Sequence, residues 1–171
     1  TRLLWDLHDR TGLFLHDILC AADYQFTPGF LSRFDACARD ADILIFSHPY
    51  LAFLAKRLPP SGKSKIILYE SQNFEFDIKR EYLARTREPG AAATYLKTVH
   101  DVEAFAVQIS DLITAVSRED RTRILEQYGP DPQRLVLSEN GVDTRYLRPL
   151  SCGERRALKA AYGFTGSVVC F

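Results

Sequence analysis

The chain has 171 residues, 46% apolar and 26% charged, the composition of an ordinary folded domain large enough to bury a real core. Lys plus Arg and Asp plus Glu both number 22, so no net charge draws the molecule toward nucleic acid or an anionic membrane. No apolar run reaches membrane-spanning length. Cys20, Cys37, Cys152 and Cys170 lack C-x-x-C spacing, which argues against zinc and for small core thiols in a reducing compartment.

Residues 1–26 carry little periodic signal; Leu3, Leu4 and Trp5 read as a strand remnant and residues 13–19 as a buried apolar stretch. Thr27 is placed to cap a helix, with Pro28 at its first position and Phe30, Leu31, Phe34, Cys37 and Ala38 at helical spacing behind it. Residues 42–47 form a continuous apolar strand, of the kind covered on both faces in parallel sheets. His48-Pro49-Tyr50 opens a short helix to about residue 58, and residues 59–62 form a Pro- and Gly-rich loop. The next strand covers residues 65–70. The polar segment Ser71-Gln72-Asn73-Phe74-Glu75 lies at its carboxyl end, and a helix runs on to about residue 87. A long helix over residues 92–110 places Tyr95, Val99, Val102, Ala106 and Ile109 on one face, with Glu103 beside that stripe.

Residues 112–116 form the next buried strand. Ser117 and Asp120 are spaced as a capping box, and the helix behind them carries Ile124, Leu125 and Tyr128 before stopping at Gly129-Pro130. A strand over residues 135–138 leads to Asn140-Gly141, expected to turn the chain because both residues tolerate positive φ. Ser151 and Glu154 form a second capping box, with a helix to about residue 162 and a stop at Gly163; residues 167–171 form a further strand.

Strands alternating with helices predict an α/β fold with a doubly wound, Rossmann-like, mostly parallel sheet. In such sheets ligands bind beyond the carboxyl ends of the strands. That rule singles out Ser47-His48, the segment from Glu70 to Glu75, Ser117, and Glu139-Asn140.

One part of the pattern is more specific: Asp111-x-Ile113-x-x-Val116-Ser117, a helix, Tyr128-Gly129, a strand, Asn140-Gly141-Val142-Asp143 and an exit at Pro149. It resembles the second half of the N-terminal domain of GT-B glycosyltransferases of the retaining family 4. The resemblance spans residues 42–171 and is strongest over 103–149. It implies the N-terminal half of a GT-B fold, truncated at both ends. Residues 1–149 would form the acceptor-side domain, and residues 150–171 a linker helix and the first strand of a nucleotide-sugar domain.

The activity so implied is transfer of a sugar from a nucleotide-diphosphate donor to a hydroxyl of a glycan, lipid or small molecule. In the family, the C-terminal domain holds the donor diphosphate. The resemblance therefore implies that this fragment carries no cofactor of its own and is inactive alone. Its implied partners are the missing C-terminal domain and a carbohydrate or lipid-linked acceptor, with no nucleic acid and no transmembrane segment. The implied location is cytoplasmic, or peripheral to the inner face of the membrane. A GT-B-shaped sugar-nucleotide epimerase or phosphorylase, and a non-catalytic doubly wound binding domain, are the alternatives.

Among candidate residues, His48 stands at a strand end, where an imidazole could orient a sugar hydroxyl. Gln72, Asn73 and Glu75 supply the planar donors and acceptors that carbohydrate hydroxyls require. Family members often carry a His-Asn-x-Glu segment here; Gln72 stands where many have His, which keeps hydrogen bonding and removes a titratable group. Ser117 is a helix cap that could also face the cleft. Glu103 matches a Glu that the family usually carries in this helix, where it would steady a loop; its other reading is a solvated helix carboxylate. Asn140, Gly141 and Asp143 read as structural residues of the exit turn. No carboxylate pair is spaced as a metal clamp, and no Gly-rich phosphate loop or nucleophile elbow is present.

Overall fold

The computed structural model describes residues 5, 6, 8, 9, 16–23, 27–58, 65–84 and 89–167. The chain divides into two units, Thr1–Glu139 and Asn140–Phe171. The expected strand remnant at Leu3 and Leu4, the loop at 59–62 and most of the strand at 167–171 lie outside the described residues.

The first unit contains α1 (His16–Asp23), α2 (Phe30–Asp40), β1 (Ile43–Phe46), a 3₁₀ helix (Pro49–Arg57), β2 (Ile66–Ser71), α3 (Glu75–Leu83), α4 (Pro89–Ile109), β3 (Leu112–Ala115), α5 (Arg118–Tyr128) and β4 (Leu135–Leu137). The strands form one sheet in the order β1-β2-β3-β4, with every neighbouring pair parallel. This is the α/β, Rossmann-like arrangement that the alternation of elements predicts. Register sets Ile43 against Ile66, Tyr69 against Ile113, and Ile113 against Leu135.

Side chains alternate across the pleat, so each strand has two faces. Phe46, Tyr69, Ile113 and Leu135 are buried on the face that the helices cover, with Ala106, Val107 and Ile124 packed on them. A second cluster joins Ile18 and Leu19 of α1 to Tyr50, Leu83, Tyr95 and Val99. Ile43, Ile45, Ile66 and Val136 are between 45% and 59% exposed. The expectation of cover on both faces therefore holds, among the described residues, for one face. A strand order that never reverses explains why. Right-handed crossovers that always step the same way put their helices on the same side.

Two joints hold the amino-terminal ends of the strands. Lys65 Nζ donates to the carbonyls of Arg39 and Ala41 at 2.8 and 2.6 Å, satisfying acceptors that the end of α2 leaves open. Asp111 donates its N–H to the Ile67 carbonyl at 2.8 Å and accepts the Ile67 N–H on Oδ2 at 2.8 Å, which seats β3 beside β2.

Some local expectations shift. Helix α2 begins at Phe30, not at Thr27: the Thr27 carbonyl accepts the Phe30 N–H at 3.1 Å, and Gly29 has φ 73° and ψ 1°. Pro28 and Gly29 thus occupy the central places of a type II turn, which Pro and Gly suit best. Helix α4 starts at Pro89, earlier than the expected residue 92, because Pro suits the first turn of a helix. The stop at Gly129 is as expected, with φ 58° and its N–H donating to the Leu125 carbonyl at 3.0 Å.

In the second unit, Ser151 and Glu154 form the full reciprocal capping box of α6 (Cys152–Ala161). The turn expected at Asn140-Gly141 is absent; neither residue has positive φ, and the chain there forms neither turn nor bend. The turn falls instead just after Asp143, whose Oδ1 accepts the Arg145 N–H at 3.0 Å and whose carbonyl accepts the Leu147 N–H at 2.9 Å. An Asp side chain closes such a turn without a left-handed residue, so Asn-Gly is not needed for it. Cys37 and Cys152 are exposed, not core thiols.

Candidate functional site

The carboxyl ends of β1 and β2 lie side by side, and the segments that follow them carry the chemistry. The chain leaves β1 through Ser47-His48 into the 3₁₀ helix, and leaves β2 through Gln72-Asn73-Phe74 into α3. Ser47 donates its hydroxyl to Glu70 Oε2 at 2.7 Å, linking the two exits.

Glu75, the first residue of α3, is buried and collects polar groups from three places. Tyr50 donates its hydroxyl to Glu75 Oε2 at 2.6 Å. His48 Nδ1 lies 3.6 Å from Oε1, and Lys79 Nζ lies 3.9 Å from Oε2, one helical turn along. Lys79 is held in turn by Asp17 Oδ2 of α1 at 2.6 Å. The His48 ring stacks on Tyr50 at 6.4 Å and keeps 53% of its side chain exposed. Burial, reinforced by the Glu75 charge, pushes the Tyr50 hydroxyl far above the usual phenol range, so it stays a donor. Beside this cluster lies a cleft of about 490 Å³ whose walls include Asp17, Phe30, Ile45, Ser47, His48 and Leu51.

Glu103 of α4 underlies the whole arrangement. It is fully buried, and its two oxygens accept four hydrogen bonds. Oε1 takes the Glu75 N–H at 3.0 Å and the Tyr69 hydroxyl at 3.2 Å; Oε2 takes the Phe76 N–H at 3.1 Å and the Tyr128 hydroxyl at 2.9 Å. A carboxylate thus sits on the open N–H groups of the first turn of α3, where the helix dipole favours negative charge. Burial nevertheless pushes the carboxyl up to about 7, against the opposing pull of the four donors. The reading of Glu103 as a solvated helix carboxylate is overturned. Its partners come from β2, α3 and α5, which converge only in the folded chain.

The other expected residues sort differently. Half-buried Gln72 and exposed Asn73 sit in the bend between β2 and α3, where the Asn73 carbonyl accepts the Ser71 hydroxyl at 2.8 Å. Neither lines the cleft beside His48. Ser117 is committed to its helix: its Oγ accepts the Asp120 N–H at 3.0 Å and donates to Asp120 Oδ2 at 2.8 Å. Asn140, Gly141 and Asp143 belong to the second unit. Tyr50, Lys79 and Asp17 were not singled out in advance. The Glu75–Lys79 spacing of four was the available signal, because it places both on one face of α3. A second groove, of about 550 Å³, runs between α3 and α5; there Arg80 at 2.7 Å, and Arg123, pair with Asp77. Among the described residues no three His, Cys, Asp or Glu side chains are grouped as metal ligands would be.

The parallel sheet with its flanking helices makes this a Rossmann-like domain, and a buried carboxylate, an imidazole and a phenol gather at adjacent strand ends, the edge at which such sheets bind ligands. The chain belongs to the family described as Glycosyltransferase Family 4, which matches residues 9–146. No curated protein matches it. No helix among the described residues is long and apolar enough to cross a membrane.

Proposed function

We propose that this chain is the acceptor side of a glycosyltransferase that moves a sugar from a nucleotide-diphosphate donor to a hydroxyl. Residues 1–149 form the acceptor-binding domain, and residues 150–171 open the domain that takes the nucleotide sugar. The observation that carries the reading is the Glu75–Tyr50–His48 cluster at the β1 and β2 strand ends, in a chain of this family. Glu75 fixes Tyr50 and orients His48, and Glu103 fixes Glu75 by holding its backbone.

In the transfer, the bond from the anomeric carbon of the sugar to the diphosphate oxygen breaks, and its electron pair stays on the diphosphate. The acceptor oxygen forms the new bond to that carbon, and the acceptor proton leaves with the diphosphate. The role of this chain is to position the acceptor, since an oriented hydroxyl turns a two-body encounter into a local step. Residues that hold the diphosphate belong to the other half of the cleft, and closure of the halves keeps water from the donor.

The test has two parts. The isolated chain, incubated with nucleotide sugars and hydroxyl acceptors, forms no glycoside; turnover by it overturns this assignment of roles. In a longer parent that carries a donor domain, Glu75→Gln lowers kcat/KM by about tenfold to a hundredfold, the loss expected when a charge-assisted hydrogen bond that orients the site is weakened. An isomerised or phosphorolysed sugar from that parent, in place of a new glycosidic bond, identifies an epimerase or a phosphorylase instead. Ligand binding without any product identifies a binding domain.

A further inference from the structure

We propose that the cleft beside His48 takes an acceptor that carries a protonated amine near its hydroxyl, and turns away one that carries a phosphate or carboxylate there. This deepens the acceptor-side reading by assigning the acceptor its charge, and it rests on that reading.

The charges around the cleft do not balance. Lys79 Nζ lies 2.6 Å from Asp17 Oδ2 and 3.9 Å from Glu75 Oε2, so one ammonium serves two carboxylates. Glu75 and Lys79 are 4% and 8% exposed, and enclosed charges call for partners because water screens them little. Glu70 adds a third carboxylate. The Ser47 hydroxyl donates to it at 2.7 Å, and no cation pairs with it among the described residues. His48, with Nδ1 3.6 Å from Glu75 Oε1, is charged only when protonated. A neutral imidazole therefore leaves the cluster short of a cation. Among the described residues of the wall, Asp17 is the one besides His48 that can carry a full charge at neutral pH. Arg33, one turn beyond Phe30 in α2, is exposed and lies outside the wall.

The open hydrogen-bonding groups have the matching character. Tyr50 and Ser47 have given their hydroxyl protons to Glu75 and Glu70. Asp17 Oδ1, the Thr27 hydroxyl and His48 Nε2 make no hydrogen bond among the described residues, and all three residues line the cleft. A carboxylate oxygen only accepts, and an ammonium only donates. Asp17 thus suits the amine, while Thr27 and His48 suit a hydroxyl beside it. A phosphate or carboxylate in the same place meets Asp17 with no fixed cation on the wall to offset it, the juxtaposition by which sites reject a wrong partner.

The test is a saturation-transfer NMR titration of the 171-residue chain with three probes. They are the trans isomers of aminocyclohexanol, cyclohexanediol and hydroxycyclohexanecarboxylate, which share a ring and one hydroxyl and differ in the charge of the second group. Aminocyclohexanol binds about tenfold more tightly than the diol, the value of a hydrogen bond to a charged group. The carboxylate binds most weakly, and added salt narrows the spread. Asp17→Asn, at a side chain 39% exposed, removes the preference for the amine and leaves the diol bound as before. Thr27→Val, at an exposed position, weakens amine and diol alike by about fivefold and keeps their ratio. Thermal melts of both variants establish that they remain folded.

An amine bound no more tightly than the diol overturns the proposal, as does a preference for it that survives Asp17→Asn. A carboxylate probe bound as well as the amine overturns it, and so does aminocyclohexanol that shows no saturable transfer. Binding that Thr27→Val leaves untouched also overturns it, because the probes then sit elsewhere. None of these outcomes touches the acceptor-side reading, which is judged on the product formed by the parent enzyme.

Discussion

The Tyr95 hydroxyl is buried in the cluster beneath α1 and has no hydrogen-bond partner among the described residues. Burial raises it well above the usual phenol range, and the neighbouring charges of Asp17 and Glu75 add to that. An unpaired buried hydroxyl destabilises, so Tyr95→Phe is expected to stabilise the chain by about 1 kcal/mol, read as a higher urea midpoint at unchanged m-value. Glu103 gives the opposite case. Glu103→Ala strands two backbone N–H groups and two phenols, and should cost about 3 kcal/mol or more. Its pH signature has a definite sign. Burial raises the folded carboxyl from its ordinary 4.5 to about 7, so between those values the folded state keeps a proton that the unfolded chain has released. Stability from this group therefore falls as pH rises through that window and levels off above it. Urea midpoints of wild type, measured relative to Glu103→Gln, should decline from pH 4.5 to about 7 and then run parallel. The sequence allowed a glutamate in this helix to steady a loop, but not its burial. Its partners lie 25 to 34 residues away, beyond the reach of any helical period.

At the scale of the element, the parts legible in sequence are those decided within a few residues. Ser117 capping α5, the Ser151–Glu154 box and the Gly129 stop all depend on neighbours three or four positions away. Gly129→Ala meets no atom within 4 Å, so its expected penalty of about 1–2 kcal/mol is purely the left-handed backbone at φ 58°. A fall in melting temperature with an unchanged sheet signature in circular dichroism is the readout. Where two local solutions compete, the sequence was less decisive. Thr27-Pro28 serves a helix start as well as a turn, and the extra residue of a Pro-Gly turn settled it. Asn140-Gly141 permits a turn without compelling one, and Asp143 provided it three residues later. At the site, His48 and Glu75 were readable from their places at strand ends. Tyr50 and Asp17 were not, because their roles arise from contacts across the fold.

For the whole first unit, the alternation of apolar strands and amphipathic helices was enough to predict a parallel α/β sheet. It did not predict strand order, and order decides which face is covered. Ile43 and Ile66 face each other by register on the exposed side. Replacing both with Thr keeps strand propensity and should change stability by no more than about 0.5 kcal/mol each, while lowering the fluorescence of a bound hydrophobic dye. An equal dye signal would place the accessible apolar surface elsewhere.

Glu103 has a kinetic corollary. Its carboxyl fastens β2, α3, α4 and α5 at one point, so the first turn of α3 cannot fray by itself without taking two of the four donors from an enclosed carboxyl. The amides of Glu75 and Phe76, at a helix start where exchange with deuterium is ordinarily fast, should instead be released only when the unit opens as a whole.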